Sequence, residues 1–419
     1  MKNIWIFNHY ISPPSIETGH RHNKFAKYLV NDGYNVKLFF SSVRHNSEKN
    51  VISDDRSYSI EETNQGDYIA VKTRNYKGNG KQRVLNMIDF FCGLFKVTKS
   101  IKKQSGKPDI IYASSVHPLT CVAGILIAKR YKVKCIVEIR DLWPLTLVEM
   151  EALKPNSIIT KLLYRGEKWI YKKADSIIFT MEGGKQYIKD RGWDNSIELS
   201  KVYDINNGID LDVYHSQKVN QMLEDSDLED DGTFKVVYAG SIIKSNVIDY
   251  LVKSAEQLSK EYKDIKLLIY GDGTTRAELE DYCKNEGLKS IIFKGRVDKK
   301  DIPYILSKSN LNVMTGAPVK NLYKYGASLN KMFDYMASEK PILSNIECEY
   351  DILEKYNCGI TVKGETAESL TEGILKFYNM EKEKYNEYCQ NSRRAAKDYD
   401  FRKLTDKLEM VISETLKNT

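Results

Sequence analysis

Short apolar runs alternate with helical patterns along the whole of this 419-residue chain, and that alternation restricts it to parallel sheets covered by helices. In the first half the expected strands are residues 4–7, 36–40, 110–113, 135–139, 176–179 and 201–203, with helices such as 22–32 and 119–131 between them. An acidic, polar stretch, 224–232, then breaks the pattern. A second series follows at 235–239, 266–270, 291–294, 311–314 and 341–344. Two successive doubly wound α/β domains fit best. In such sheets ligands collect beyond the carboxyl ends of the strands, so the loops there carry the functional expectation.

Composition narrows the class. Hydrophobic content of 42% and charged content of 29% describe a globular chain with material for two cores. A net charge of +7, without basic runs interleaved with aromatics, argues against a nucleic-acid groove and is compatible with phosphorylated substrates or an anionic surface. The seven cysteines are scattered with no Cys-x-x-Cys pair, so neither zinc nor a disulfide framework is expected, and a reducing cytoplasm is. The first apolar run is too short for a signal peptide, and no run reaches spanning length.

Residues 323–341 are the most informative. They join a Gly326-Ala327-Ser328 turn to a helix beginning near Asn330, with Lys331 beside its start and an acid, Asp334, expected on its first turn. Unpaired N–H groups at a helix start suit a phosphate, and a carboxylate suits sugar hydroxyls. Other candidates end strands. Gly19 lies between the first strand and its helix, where backbone can approach a diphosphate. His117 follows the third strand; Arg140, Asp141 and Trp143 stand in Arg-Asp-Leu-Trp-Pro after the fourth. Gly240 and Ser241 open the second domain's first turn, with Lys244 beyond, and Gly295-Arg296-Val297 follows a later strand. His9, His20 and His22 do not look like a metal cluster, and no metal is expected. The bland alternatives are an Arg21 salt bridge in a plain turn, a structural His117, an Arg140–Asp141 pair, a solvated Lys244 and an Arg296–Asp298 pair.

Residues 323–341 resemble the donor-binding motif of family 4 glycosyltransferases, Ser-Pro-x-Lys-x-x-Glu-Tyr-Met-Ala-x-Gly-Lys-Pro. Asn207-Gly208-Ile209-Asp210 is similar to the Asn-Gly-Val-Asp that ends the family's first domain, and Arg-Asp-Leu-Trp-Pro is similar to a branch rich in bacterial capsule and O-antigen transferases. The resemblance implies the GT-B fold, two Rossmann-like domains facing a central cleft. The expected divisions are 1–214 for the acceptor side, 215–233 for an acidic linker, 234–392 for nucleotide-sugar binding and 393–419 for a helix packing back on the first domain. It implies a retaining transferase that moves a sugar from a UDP-type donor to a glycan or lipid-linked acceptor, with no cofactor.

In those terms Gly19, Gly240, Ser241, Arg296, Gly326, Ser328, Asn330 and Asp334 are expected to bind the donor. Lys244 and Lys331 would stabilise the departing diphosphate, and Asp141 holds the place of a common histidine. His117, Arg140 and Trp143 are expected near the sugar or acceptor. Two departures stand out: the family's paired glutamates are Gly326 and Asp334 here, and Leu329 replaces a proline. A nucleotide-sugar epimerase of similar fold and a non-catalytic partner subunit are the rival readings. Residues 84–103 and 158–173, apolar on one face and flanked by lysines, are expected as helices that either cover the first sheet or touch the inner face of the cell membrane.

Overall fold

The computed structural model describes residues 1–417 except 18, 45–48, 79, 116, 221–222, 318 and 365. It divides into two units, one of Met1–Asn206 with Phe401–Thr419 and one of Asn207–Asp400.

The first unit is built on β1 (Asn3–Phe7), β2 (Asn35–Ser41), β3 (Tyr58–Thr63), β4 (Gly66–Val71), β5 (Ile110–Ser115), β6 (Lys134–Ile139), β7 (Ser176–Phe179) and β8 (Val202–Asp204). They form one sheet in the order β3-β4-β2-β1-β5-β6-β7-β8. All neighbours pair in parallel except β3 with β4. A strand buried on both faces reads as a continuous apolar run, and β5 is buried at every position. The β3–β4 hairpin lacks that signal: β3 is an edge strand with no fully buried residue, so nothing periodic marks it in the sequence.

The second unit carries β9 (Phe234–Ala239), β10 (Ile265–Tyr270), β11 (Ile291–Gly295), β12 (Leu311–Met314), β13 (Ile342–Ser344) and β14 (Gly359–Thr361) in the order β11-β10-β9-β12-β13-β14, all parallel. In both units the strand order reverses beside the first strand, at β1/β5 and β9/β12. The loops after those strands therefore flank a crevice in each sheet.

Three boundaries differ from the expected ones. The division falls after Asn206 rather than near 214, because Ile209 donates its N–H to Tyr399 O (3.0 Å) and Tyr214 is buried in the second core. The acidic stretch is not a loose linker. Asp225 caps a short helix, Ser226–Glu229, through the Asp227 N–H, Leu228 is fully buried, and Lys294 bonds Asp225 and Asp227 at 2.6 Å each. The single helix expected over 393–419 is two helices, Lys382–Asp398 and Phe401–Lys417. The latter closes the first core: Phe401 meets Phe25 edge-on at 5.5 Å, and Leu404, Leu408, Val411 and Ile412 are buried with it.

Helix Lys81–Ser105 buries Met87, Phe90, Leu94, Val97 and Ile101, so most of its wide apolar stripe is core. Val84, Leu85 and Ile88 remain exposed at one end, while Lys99, Lys102 and Lys103 lie towards the other. No helix among the described residues is long and apolar enough to cross a membrane.

Candidate functional site

In the second unit three strand-end loops are laced backbone to backbone. Gly240 N–H bonds Tyr270 O (2.9 Å), Ile242 N–H bonds Asp272 O (2.9 Å) and Gly271 N–H bonds Gly295 O (2.8 Å). The approach is too close for side chains: a Cβ on Gly271 would lie 1.8 Å from Gly240 O, and one on Gly273 2.2 Å from Ile242 O. Gly271 also sits at φ +148°. Gly271→Ala is therefore expected to cost about 3 kcal/mol in urea unfolding. Gly78→Ala, at φ +68° with open space around it, should cost nearer 1 kcal/mol. Equal losses in both variants would refute the packing argument.

Lys331 stands over this turn. Its Nζ donates to Tyr238 Oη (3.0 Å), lies 4.6 Å from that ring's centre, and would be 3.3 Å from a Cβ on Gly240. Tyr238 in turn donates to Ser241 O (2.8 Å), which fixes the phenol. Among the described residues Lys331 has no carboxylate partner, and burial lowers its pKa to about 8. A desolvated ammonium without an anion is costly, and a ligand phosphate would relieve that cost.

Asp334 is the fifth residue of helix Asn330–Ala337, so it lies beyond the first turn where it was expected. It is half-buried; burial raises its carboxyl to about 6 against the opposing charge of Lys299. Ser328 and Asn330 carry local structure as well. Ser328 Oγ accepts from Asn207 N–H (3.1 Å), and Asn207 Nδ2 donates to Asn330 Oδ1 (3.0 Å). Gly326 is buried at φ +95°, a conformation that explains glycine where a glutamate is common. Lys244 and Ser241 are exposed, and Lys244 has no acidic partner among the described residues. Arg296 is exposed and does not pair with Asp298, whose recorded partner is Lys300.

In the first unit, Glu138 on β6 is fully buried and gathers polar groups from around it. Arg21 Nε donates at 2.9 Å and Ser114 Oγ at 2.8 Å, Tyr112 donates as well, and His22 Nε2 lies 3.2 Å away. Burial alone would raise this carboxyl, but Arg21 and His22 hold it well below the usual range. Arg21 also donates to the Ile205 and Asn206 carbonyls, so it clamps the start of helix Arg21–Asn31 to the end of the sheet. Gly19 lies exposed just before that clamp.

A second buried chain runs from Asn86 to His117. Asn86 Nδ2 donates to Arg74 O (2.7 Å), so its Oδ1 must accept from His9 Nε2 (2.7 Å). His9 Nδ1 is then bare and accepts from His117 Nε2 (3.0 Å). That leaves His117 Nδ1 as a buried lone pair with no partner among the described residues. Burial and the charge of Arg83 drop the pKa of His117 to about 3, so the ring stays neutral. Arg140 and Asp141 form no ion pair with each other; Arg140 N–H bonds Ser115 Oγ (3.1 Å), and burial raises the Asp141 carboxyl although its surface reaches solvent. Trp143, half-buried, precedes a cis bond to Pro144. Among the described residues no group of three His, Cys, Asp or Glu side chains is placed to hold a metal.

Sequence reasoning missed Tyr238, Glu138, and the His9 and Asn86 links to His117. A glutamate inside the apolar run 135–139 was the one visible signal, because a buried carboxylate demands partners.

Comparison with known proteins fits this geometry. The family model for glycosyltransferase family 4 matches residues 23–213, and that for glycosyl transferases group 1 matches 220–395. The chain belongs to the family 4 glycosyltransferases. This transferase has the GT-B fold of its structural neighbours. A sucrose-phosphate synthase from Thermosynechococcus elongatus has a TM-score of 0.69 at 15% identity, covering 100% of both chains. HepE from Anabaena in complex with UDP has 0.68 at 14% identity, covering 99% of this chain and 100% of that one. WaaG, a glycosyltransferase involved in lipopolysaccharide biosynthesis, has 0.62 at 13%, covering 98% and 99%. No curated protein matches the chain in sequence.

Proposed function

We propose that this glycosyltransferase moves a sugar from a UDP-sugar to a hydroxyl of a glycan or lipid-linked acceptor in surface polysaccharide synthesis, with retention of configuration and without a metal. The observation that carries the donor part is Lys331: a half-buried, desolvated ammonium with no carboxylate partner among the described residues, beside the glycine turn that ends β9. Similar folds have been seen with UDP and with UDP-glucose bound, which supports the choice of nucleotide. Asp334 would take the ribose hydroxyls, the amides at the start of helix Asn330–Ala337 a phosphate, and Lys244 the outer phosphate. Catalysis is then mainly positioning and neutralisation of the departing diphosphate. Asp141 and the bare nitrogen of His117 are the groups of the first unit suited to acceptor or sugar hydroxyls.

A panel of sugar nucleotides, scored for nucleotide release with and without acceptor, tests this reading. UDP release that depends on acceptor supports it. Epimerisation without release, or no turnover with any donor, would reject it. Within that assay Lys244→Ala is expected to lower turnover about a hundredfold, the lower end for losing one preorganised donor. An unchanged rate in the folded variant removes Lys244 from the site.

A further inference from the structure

The buried hydrogen bonds that end at His117 run in one direction. Asn86 lies on helix Lys81–Ser105 and directs its amide nitrogen to the loop after β4, at Arg74 O (2.7 Å) and Thr73 Oγ1 (3.0 Å). A backbone carbonyl can only accept, so Asn86 has only its oxygen left for His9. His9 must then donate from Nε2 and accept at Nδ1, which makes His117 donate from Nε2 and present Nδ1 bare. Asn86, His9 and His117 are each at most 1% exposed, so bulk water does not compete for these atoms. The loops after β1, β4 and β5 thereby fix the state of a single atom.

The surroundings of that atom narrow what it can meet. His117 lines a cavity of about 210 Å³ between helices Pro118–Tyr131 and Ile158–Lys173. Two other polar groups on its wall already have partners. Ser115 Oγ accepts from Arg140 N–H, and Glu167 accepts from Tyr171 Oη (2.7 Å) and Tyr187 Oη (2.9 Å). His117 Nδ1 is buried and has none among the described residues. A bare ring nitrogen calls for a donor hydrogen, which ionised phosphates, carboxylates and carbonyls lack and an alcohol has. With a pKa of about 3, His117 is too weak a base to strip that alcohol. The hydrogen stays on the oxygen, and the bond sets where the oxygen's lone pairs point.

We propose that Asn86, acting through His9, is a positioning residue that makes His117 an obligate hydrogen-bond acceptor for the attacking hydroxyl of the sugar acceptor. This rests on the transferase reading above and names what orients the nucleophile. A neutral alcohol is held there, and an ionised diphosphate, which carries only acceptors, is turned away.

Two substitutions separate this role from plain packing. Asn86→Asp and Asn86→Leu both remove the amide nitrogen, but Asp keeps an oxygen for His9 and Leu does not. Turnover is measured with the donor and acceptor that the panel above selects. The acceptor kcat/KM should fall about tenfold further in Asn86→Leu than in Asn86→Asp, the size of one hydrogen bond, while donor KM stays within about twofold. In a His117→Leu background the two Asn86 variants should be equal, because the atom they control is gone. Ring-nitrogen NMR on isotope-labelled histidine reads the same claim without substrate. The signals missing from His117→Leu should show Nδ1 bare in the parent at neutral pH and protonated in Asn86→Leu. The parent's spectrum decides even where Asn86→Leu fails to fold: a proton on Nδ1 would overturn the proposal. So would a deficit in Asn86→Leu that survives unchanged in the His117→Leu background, since that marks packing alone. A parent with the expected tautomer that releases no UDP with any donor and acceptor brings down the transferase reading instead, and the hydroxyl assignment with it.

Discussion

Lys331→Met is expected to lower turnover about a thousandfold, towards the upper end for removing one electrostatic donor. It should fall further than Lys244→Ala because the two lysines differ in surroundings. Lys244 is exposed, so water screens its charge in the substrate complex. Lys331 is packed on Tyr238 beside Gly240, so its charge acts in a poorly hydrated place. A pH signature separates this electrostatic role from a packing role. Burial lowers the free enzyme's Lys331 to about 8. A bound diphosphate favours the charged form, so binding above that pH must take up a proton. UDP affinity should therefore hold below pH 8 and weaken about tenfold from pH 7 to pH 9. Lys331→Met should bind more weakly throughout and lose that slope. Parallel pH profiles for parent and variant in calorimetry would show that Lys331 does not contact the diphosphate.

Glu138→Ala is expected to cost about 3–5 kcal/mol, the range for stranding a buried charge. The variant leaves Arg21 without its carboxylate in the centre of the first core, and Ser114 and Tyr112 lose their acceptor. The dependence on pH follows from the direction of the shift. A carboxyl held well below its unfolded value contributes stability that is complete above about pH 4.5 and is lost as pH falls towards its folded pKa. Urea unfolding at pH 7 and pH 3 should show a smaller gap between parent and Glu138→Ala at the lower pH. A loss under 1 kcal/mol at pH 7 would mean that water reaches Arg21 and that the clamp is not buried in solution.

Much of the fold is legible in the sequence, for a local reason. Parallel strands covered on both faces have to be apolar throughout, and the stretches 110–113, 135–139 and 311–314 announce themselves by composition alone. The helix at Asn330 and the glycine turns after β9 and β10 are legible for the same reason, because chain geometry there depends on nearest neighbours. Edge strands are not: β3 and β14 take their place from a partner strand and carry no apolar run of their own. Nor could the sequence show that the acidic stretch 224–232 folds down, since its lysine partners Lys266 and Lys294 come from two other strands.

The site divides along the same line. Residue types suited to phosphate and sugar stand at strand ends in the sequence, and the motif around Asn330 selects a family. Which of the lysines is desolvated depends on Tyr238, 93 positions away, and which nitrogen of His117 is bare depends on Asn86 through His9. Charge and hydrogen bonding at a site are set by neighbours distant along the chain, and only packing brings those together. By itself the sequence determined two doubly wound domains and a transferase; the tertiary structure decided which side chains lie buried without partners, and so which atoms have a ligand to wait for.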